Sequence, residues 1–159
     1  MREMRRKDRE IKDFQEQIKI IERCDVIRLG LSDENGIYIV PMNFGYEVSG
    51  EKLFFYFHSA SEGRKIDILK TSPTVGFELD GKMEIRKADK VCGWGAAFES
   101  LIGTGNVVFL ESIAEKEHAM TCLMKKYNYE GMPEFHPEIL KKIIVMKLEV
   151  DVISGKRRE

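Results

Sequence analysis

The spacing of hydrophobic positions changes several times along the chain, and each change marks an element. Between Asp8 and Cys24 the apolar residues Ile11, Phe14, Ile18 and Ile21 fall three or four apart, the pattern of a helix that buries one stripe. "VIRLGL" and "IYIVPMNFGY" then read as strands on either side of "SDENG", with Asn35-Gly36 at the tip of a hairpin turn. "EVSGEK" reads as the next turn and "LFFYFH" as a third strand. In "SASEGRKIDILK", Ser59 and Glu62 have capping-box spacing, Ile66 and Leu69 supply a core side, and Pro73 stops the helix. "TVGFEL" and "LIGTGNVVFL" are further strands, joined by "DGKMEIRKADKVCGWGAAFE", part of which is strand. A second capping box, Ser112 to Glu115, opens the helix "IAEKEHAMTCLMKKY". "HPEILKK" reads as a short helical turn and "IIVMKLEVDVI" as the closing strand. The charged ends "RRKDRE" and "GKRRE" read as solvated termini. Hairpin-linked strands favour an antiparallel sheet closed on itself over a parallel one. The fold expected is mainly β with α (α+β): a small barrel with helices packed outside.

Composition narrows the possibilities. A chain of 159 residues is expected to form one domain, 1–159. With a net charge of −1 it has no global attraction for nucleic acid or an acidic membrane, so anion binding requires a local cluster. No apolar run follows Met1 as in a secretory signal, and none approaches the ~20 residues of a membrane span. Cys24, Cys92 and Cys122 include no C-x-x-C pair, and His58, His118 and His136 are scattered. These features predict a cytoplasmic protein with free thiols and no metal centre.

Three stretches carry candidate chemistry, each with a plainer reading beside it. At "FHSASEGRK" a strand enters a helix whose N-terminus offers unpaired N–H groups and the positive end of its dipole. Arg64 and Lys65 can lean back over that end, Ser59 adds a hydroxyl and Gly63 removes bulk, an arrangement that suits a phosphate monoester. The plainer reading is a capped helix with two solvated cations. In "VPMNFGY", Pro41 cannot donate to a ladder and Gly45 has no side chain to pack, so a bulge, an edge or a flat ligand is expected. Asn43 offers a donor and acceptors to the edge of such a ligand. In "SLIGTG", Gly103 and Gly105 open one face of a strand, most simply for close packing against a neighbour. Trp94 lies among small residues in "CGWGAAF" and is either core or part of a ligand or subunit contact. His58 ends a strand beside the proposed anion site, where a structural role is the alternative. No Ser/His/Asp, paired-carboxylate or Cys/His constellation can be placed from spacing.

Taken in order, "RRKDREI", "VPMNFGY", "FYFHSASEGRKIDIL", "ESLIGTG" and "ISGKRR" resemble the FMN-binding split-barrel superfamily of pyridoxamine 5'-phosphate oxidase-like proteins. Within it the chain is most similar to the nitroimidazole-resistance (Nim-type) flavoproteins, from Met4 to Arg158. The resemblance implies an antiparallel six-stranded split β-barrel with flanking helices that forms a homodimer, with FMN sites at the subunit interface. It implies that Pro41, Met42, Asn43 and Phe44 lie against the isoalloxazine ring, and that His58, Ser59 and Ala60 run along the ribityl chain. Lys65 would bind the phosphate with Arg64 helping, while Trp94 and Ser100 match segments that a partner subunit can supply. His58 matches a histidine often placed beside the flavin. Thr104 stands where relatives commonly have an aromatic residue, and Phe98 where many have tyrosine. No histidine follows His136, so the Arg-x-His motif of pyridoxamine-phosphate oxidation is missing.

The expected function is therefore an FMN-dependent oxidoreductase passing electrons to a small flat acceptor such as a nitro-heteroaromatic compound, with NAD(P)H as donor and His58 as the catalytic candidate. The competing expectation is a non-catalytic split barrel that holds flavin or haem for carriage or sensing.

Overall fold

The computed structural model describes residues 3–81 and 83–159. The first two residues of the charged N-terminal run, and Lys82 in the part-assigned segment, lie outside them. A short 3-10 turn (Lys7–Arg9) leads into β1 (Glu10–Ile11), α1 (Phe14–Arg23), β2 (Ile27–Asp33), β3 (Gly36–Met42), β4 (Gly45–Ser49) and β5 (Lys52–Ser59). Then come α2 (Arg64–Thr71), β6 (Thr74–Asp80), β7 (Glu84–Arg86), β8 (Gly95–Leu110), α3 (Ile113–Lys126), α4 (Pro137–Lys142) and β9 (Ile144–Arg158).

All strand pairs are antiparallel, and the hydrogen-bonded order is β3-β2-β6-β8-β9-β5-β4, with β1 added to β9 and β7 to β8. β3 and β4 end that order, although only Asn43 and Phe44 separate them in sequence. The sheet therefore rolls up on itself and stays split between these two strands. This is the antiparallel α+β barrel expected, with nine strands rather than six among the described residues.

The extra strands come from stretches whose sequence signals point elsewhere. The run "IYIVPMNFGY" is broken at Asn43-Phe44, and Glu47–Ser49, read as turn, continue β4. Both charged ends are structured: Glu10 pairs with Lys156, and β9 runs through the basic tail to Arg158. Arg157 donates to Glu99 and Glu16, each at 3.2 Å, so the C-terminal run is not a solvated tail, whereas Lys7 and Asp8 of the N-terminal run stay exposed. The first helix starts at Phe14, where Asp13 accepts from the Gln15 amide at 2.7 Å, and the residues before it pair as β1 instead.

The barrel interior is filled from every wall. Phe55 meets Phe44 and Phe77 edge to face, with ring centroids 5.5 and 5.4 Å apart. Burying one such side chain contributes roughly 1.5–3 kcal/mol, and Ile20, Ile27, Leu29, Ile66, Leu79, Leu101 and Leu148 complete the same cluster. A second, smaller cluster forms outside the barrel, where Tyr56, Leu110 and Val145 meet Ala119 of α3. The capping box at Ser112 and Glu115 opens that helix as the sequence indicates. Buried Lys116 donates to the Leu140 and Ile143 carbonyls, both at 2.9 Å, tying α3 to the end of α4.

The two glycines of "SLIGTG" serve close packing. A Cβ at Gly103 would meet the Phe77 ring and the Val152 carbonyl, and one at Gly105 would meet the Glu149 carbonyl. Between Thr104 and Gly105 the pairing with β9 shifts register and leaves Asp151 bulged, which bends the long β8–β9 ribbon.

Candidate functional site

The junction of β5 and α2 departs from the sequence expectation in an informative way. Ser59 is not a helix cap; it is the last residue of β5, paired with Ile144. Gly63 holds the N-cap position with φ of +130°, which favours glycine, and makes no side-chain cap. α2 therefore starts at Arg64, beyond the Ser59–Glu62 spacing, because the ladder to β9 claims Ser59 first. Its first amides have no side-chain acceptor, and they face outward at the positive end of the helix. Ser59 is 7% exposed, and its hydroxyl has no hydrogen-bond partner among the described residues. A buried hydroxyl left unpaired costs about 1–3 kcal/mol, so this one is suited to a polar ligand.

The two cations at the helix start differ. Arg64 donates to Asp33 at 3.4 Å and lies over the Tyr38 ring, 4.8 Å from its centroid. It is thus committed to the β2–β3 hairpin. Lys65 is half-buried and makes no ion pair among the described residues. Ala60 and His58 are exposed, and His58 projects outward from β5.

The Pro41–Phe44 stretch begins on the same β3 strand as Tyr38, three residues or about 10 Å further along. Pro41 faces outward opposite Arg28, while Met42 leans on the core. Asn43 donates its side-chain amide to the Tyr127 hydroxyl at 3.2 Å; the Phe44 amide donates to the same oxygen, which in turn donates to the Asp25 carbonyl at 2.7 Å. Tyr127, at the end of α3, thus fixes the break between β3 and β4; no spacing in the sequence marks it for that role. The Phe44 side chain is fully buried in the core, so at that position the backbone is what a ligand could meet. Gly45 has a structural cause too, because a Cβ there would meet the backbone of Cys122 and Leu123 in α3.

Ser100 and Trp94 lie elsewhere in the chain. Ser100 pairs with Asp80, at the far end of β6 from Thr74 and α2, a separation of about 20 Å. Trp94 is 51% exposed and donates its indole N–H to the Ala88 carbonyl at 2.7 Å. Arg64 links the α2 start to Asp33 and Tyr38 of the β2–β3 hairpin, while Trp94 precedes β8 and Ser100 lies on it.

The described cysteines are free. Burial pushes the Cys24 thiol up to about 11, which makes it unreactive. His118 is not isolated as the scatter of histidines suggested: it and Cys122 sit one helical turn apart over Glu47 of β4. His118 Nε2 lies 3.0 Å from Glu47 Oε2 and 3.7 Å from Cys122 Sγ. The missed signal was their i, i+4 spacing within a helix the sequence does predict.

The class this fold defines is the antiparallel split barrel, here with an uncapped helix start and a buried hydroxyl that has no partner among the described residues. The sequence pattern of the pyridoxamine 5'-phosphate oxidase family matches residues 13–157, and the chain belongs to that family. A candidate 5-nitroimidazole antibiotic resistance protein from Bacteroides thetaiotaomicron is 31% identical, with 93% of this chain and 86% of that one covered and a TM-score of 0.81. A flavocytochrome from Azotobacter vinelandii shares the fold at a TM-score of 0.80 and 16% identity, over 99% of this chain and 72% of its own. A FAD- and haem-binding protein from Mycobacterium smegmatis does so at 0.81 and 12% identity, over 95% and 74%. None of the curated proteins matches the sequence. No helix among the described residues is long and apolar enough to cross a membrane.

Proposed function

We propose that this protein is a cytoplasmic FMN-dependent oxidoreductase that uses NAD(P)H to reduce a small flat acceptor such as a nitro-heteroaromatic compound. The observation that carries the reading is the β5–α2 junction, where the unpartnered Ser59 hydroxyl, a helix start without a side-chain cap and Lys65 without an ion pair follow one another along the chain among the described residues. Those groups fit a phosphate monoester of about −1.5 to −2 charge. The Asn43 amide and the backbone at Met42–Phe44 would meet the polar edge of the flavin ring. Bound there, FMN supplies the electron transfer at its N5, and the protein supplies position and exclusion of water. The exposed His58, without a side-chain partner among the described residues, would orient the acceptor by a single hydrogen bond.

The test is the visible spectrum of the purified protein before and after acid release, followed by titration and turnover. FMN is expected at one per chain, bound more tightly than riboflavin, and NAD(P)H with a nitro-heteroaromatic compound should turn over. Equal affinity for the two flavins would remove the phosphate site. His58→Gln should lower kcat/KM roughly tenfold with FMN still bound, the loss of one hydrogen bond of about 1.4 kcal/mol. Wild-type turnover in that variant would leave His58 outside the mechanism. The names of the flavocytochrome and of the FAD- and haem-binding protein favour a second reading, carriage of flavin or haem without turnover. A stoichiometric Soret band with no NAD(P)H oxidation would favour it.

The working form is proposed to be a homodimer. Ile37, Ile39, Ile102 and Val152 are 79%, 64%, 50% and 40% exposed. They share the outer face of β3, β2, β6, β8 and β9 with Gly30 and Gly76, whose missing side chains flatten it. A second copy on this face would bury roughly 2,000–5,000 Å² in total and bring its own Trp94 or Ser100 toward the first copy's flavin. Light scattering should show a dimer at micromolar concentration and a monomer for Ile39→Glu; a monomeric wild-type holoprotein would refute the assembly.

A further inference from the structure

We propose that Glu47, His118 and Cys122 form a binding site for a divalent transition metal ion, best suited to Zn²⁺, with three protein donors and one open position. The donor atoms of the three residues all lie within 4.8 Å of one another. Metal bonds of about 2.0–2.3 Å in a tetrahedron place donors about 3.3–3.7 Å apart. The observed 3.0 Å from His118 Nε2 to Glu47 Oε2 and 3.7 Å from His118 Nε2 to Cys122 Sγ need adjustments of only a few tenths of an ångström.

Several features hold the donors in this arrangement. His118 and Cys122 are four apart in α3, so they project from one face of the helix. Gly45 and Glu47 are two apart in β4, so they share the face turned to that helix. The missing side chain at Gly45 lets the α3 backbone come down onto the strand, which brings its donors over Glu47. Tyr56, opposite Gly45, donates its hydroxyl to Glu47 Oε2 at 2.7 Å, and its ring packs edge-on against His118 with centroids 5.8 Å apart. A hydrogen-bonded carboxylate beside the ligand histidine is the kind of support that orients metal ligands. Cys122 and Glu47 also line a cleft between α1, β4 and α3, which gives an ion its way in.

A thiolate, an imidazole and a carboxylate together suit Zn²⁺ rather than Mg²⁺ or Ca²⁺, which take oxygen donors. A Cys–His nucleophile is the other chemistry to weigh. His118 directs the same Nε2 at Glu47 and at Cys122, so it has no second nitrogen engaged to act as an oriented base. Burial and the nearby Glu47 carboxylate also push the Cys122 thiol up, away from the thiolate a nucleophile needs. A bound cation would draw off that proton as part of binding. The site is distinct from the proposed flavin site: Glu47 pairs with Phe54, five residues before Ser59 on β5, or about 16 Å away.

The experiment uses the full-length protein with whatever flavin it carries, treated with a chelator and then titrated. Calorimetry should give one Zn²⁺ per chain with a micromolar or lower Kd. Co²⁺ difference spectra should show a thiolate-to-metal charge-transfer band. Cys122→Ser should abolish the band and weaken Zn²⁺ by about a hundredfold or more, and His118→Gln, a change at an exposed position, should weaken it comparably. Zn²⁺ should raise the melting temperature of the wild type and of neither variant, which also reports that both fold. Unaltered Zn²⁺ affinity in the two variants, no cobalt–thiolate band, or no saturable binding by 100 µM Zn²⁺ would each overturn the site.

Discussion

Gly45→Ala is expected to destabilise the protein by about 3 kcal/mol, the upper end of overpacking costs. In a domain of this size that lowers the melting temperature by about 6–12 °C. The added methyl would run into backbone atoms of Cys122 and Leu123, and no rotamer change can clear a backbone. The helix would have to lift from β4, loosening the Tyr56–Leu110–Ala119–Val145 cluster beneath it. Gly30→Ala is the control: it is also a strand glycine, but its Cβ would meet only the Gly76 carbonyl at an ordinary 3.7 Å. Thermal melts of the two variants should differ by most of the predicted shift. Similar melting temperatures would mean that α3 does not depend on close approach at Gly45. The same lift would part His118 and Cys122 from Glu47, so Gly45→Ala should also weaken Zn²⁺.

Lys65→Glu should weaken FMN at least tenfold while leaving riboflavin affinity and the melting temperature close to wild type. A hydrogen bond to a charged group contributes about 1.5–3 kcal/mol, and each ~1.4 kcal/mol is a factor of ten. Reversing the charge adds repulsion to that loss. Arg64→Ala should have a smaller effect, because Arg64 is held by Asp33 and stacked on Tyr38. Fluorescence titration with the two flavins measures all of this. FMN affinity within twofold of wild type in a folded Lys65→Glu protein would make Lys65 a solvated surface cation.

Local physics reaches a few residues, so the features it governs were legible: the Asn35-Gly36 hairpin turn, the Ser112–Glu115 cap, the stop of α2 before Pro73, and the strand periods that give an antiparallel barrel. The strand-to-helix junction at His58–Lys65 was legible for the same reason, since those residues are neighbours in the chain. What the sequence could not decide were competitions and meetings between distant segments. Ser59 satisfied a capping-box pattern, yet ladder pairing with Ile144, 85 residues on, took it into β5 and left its hydroxyl buried and free. The charged termini looked solvated because nothing nearby in sequence pairs with them; β1 and β9 pair with each other across almost the whole chain. Gly45 left a bulge, an edge or a flat ligand open until the docking of α3 showed that a helix backbone crosses it. Glu47 lies 71 residues from His118, and only the rolling of the sheet and that docking bring the carboxylate under the imidazole and the thiol. Local pattern sets which elements form. Which side chains meet is decided by packing, because a contact between distant segments depends on every element that holds them in place.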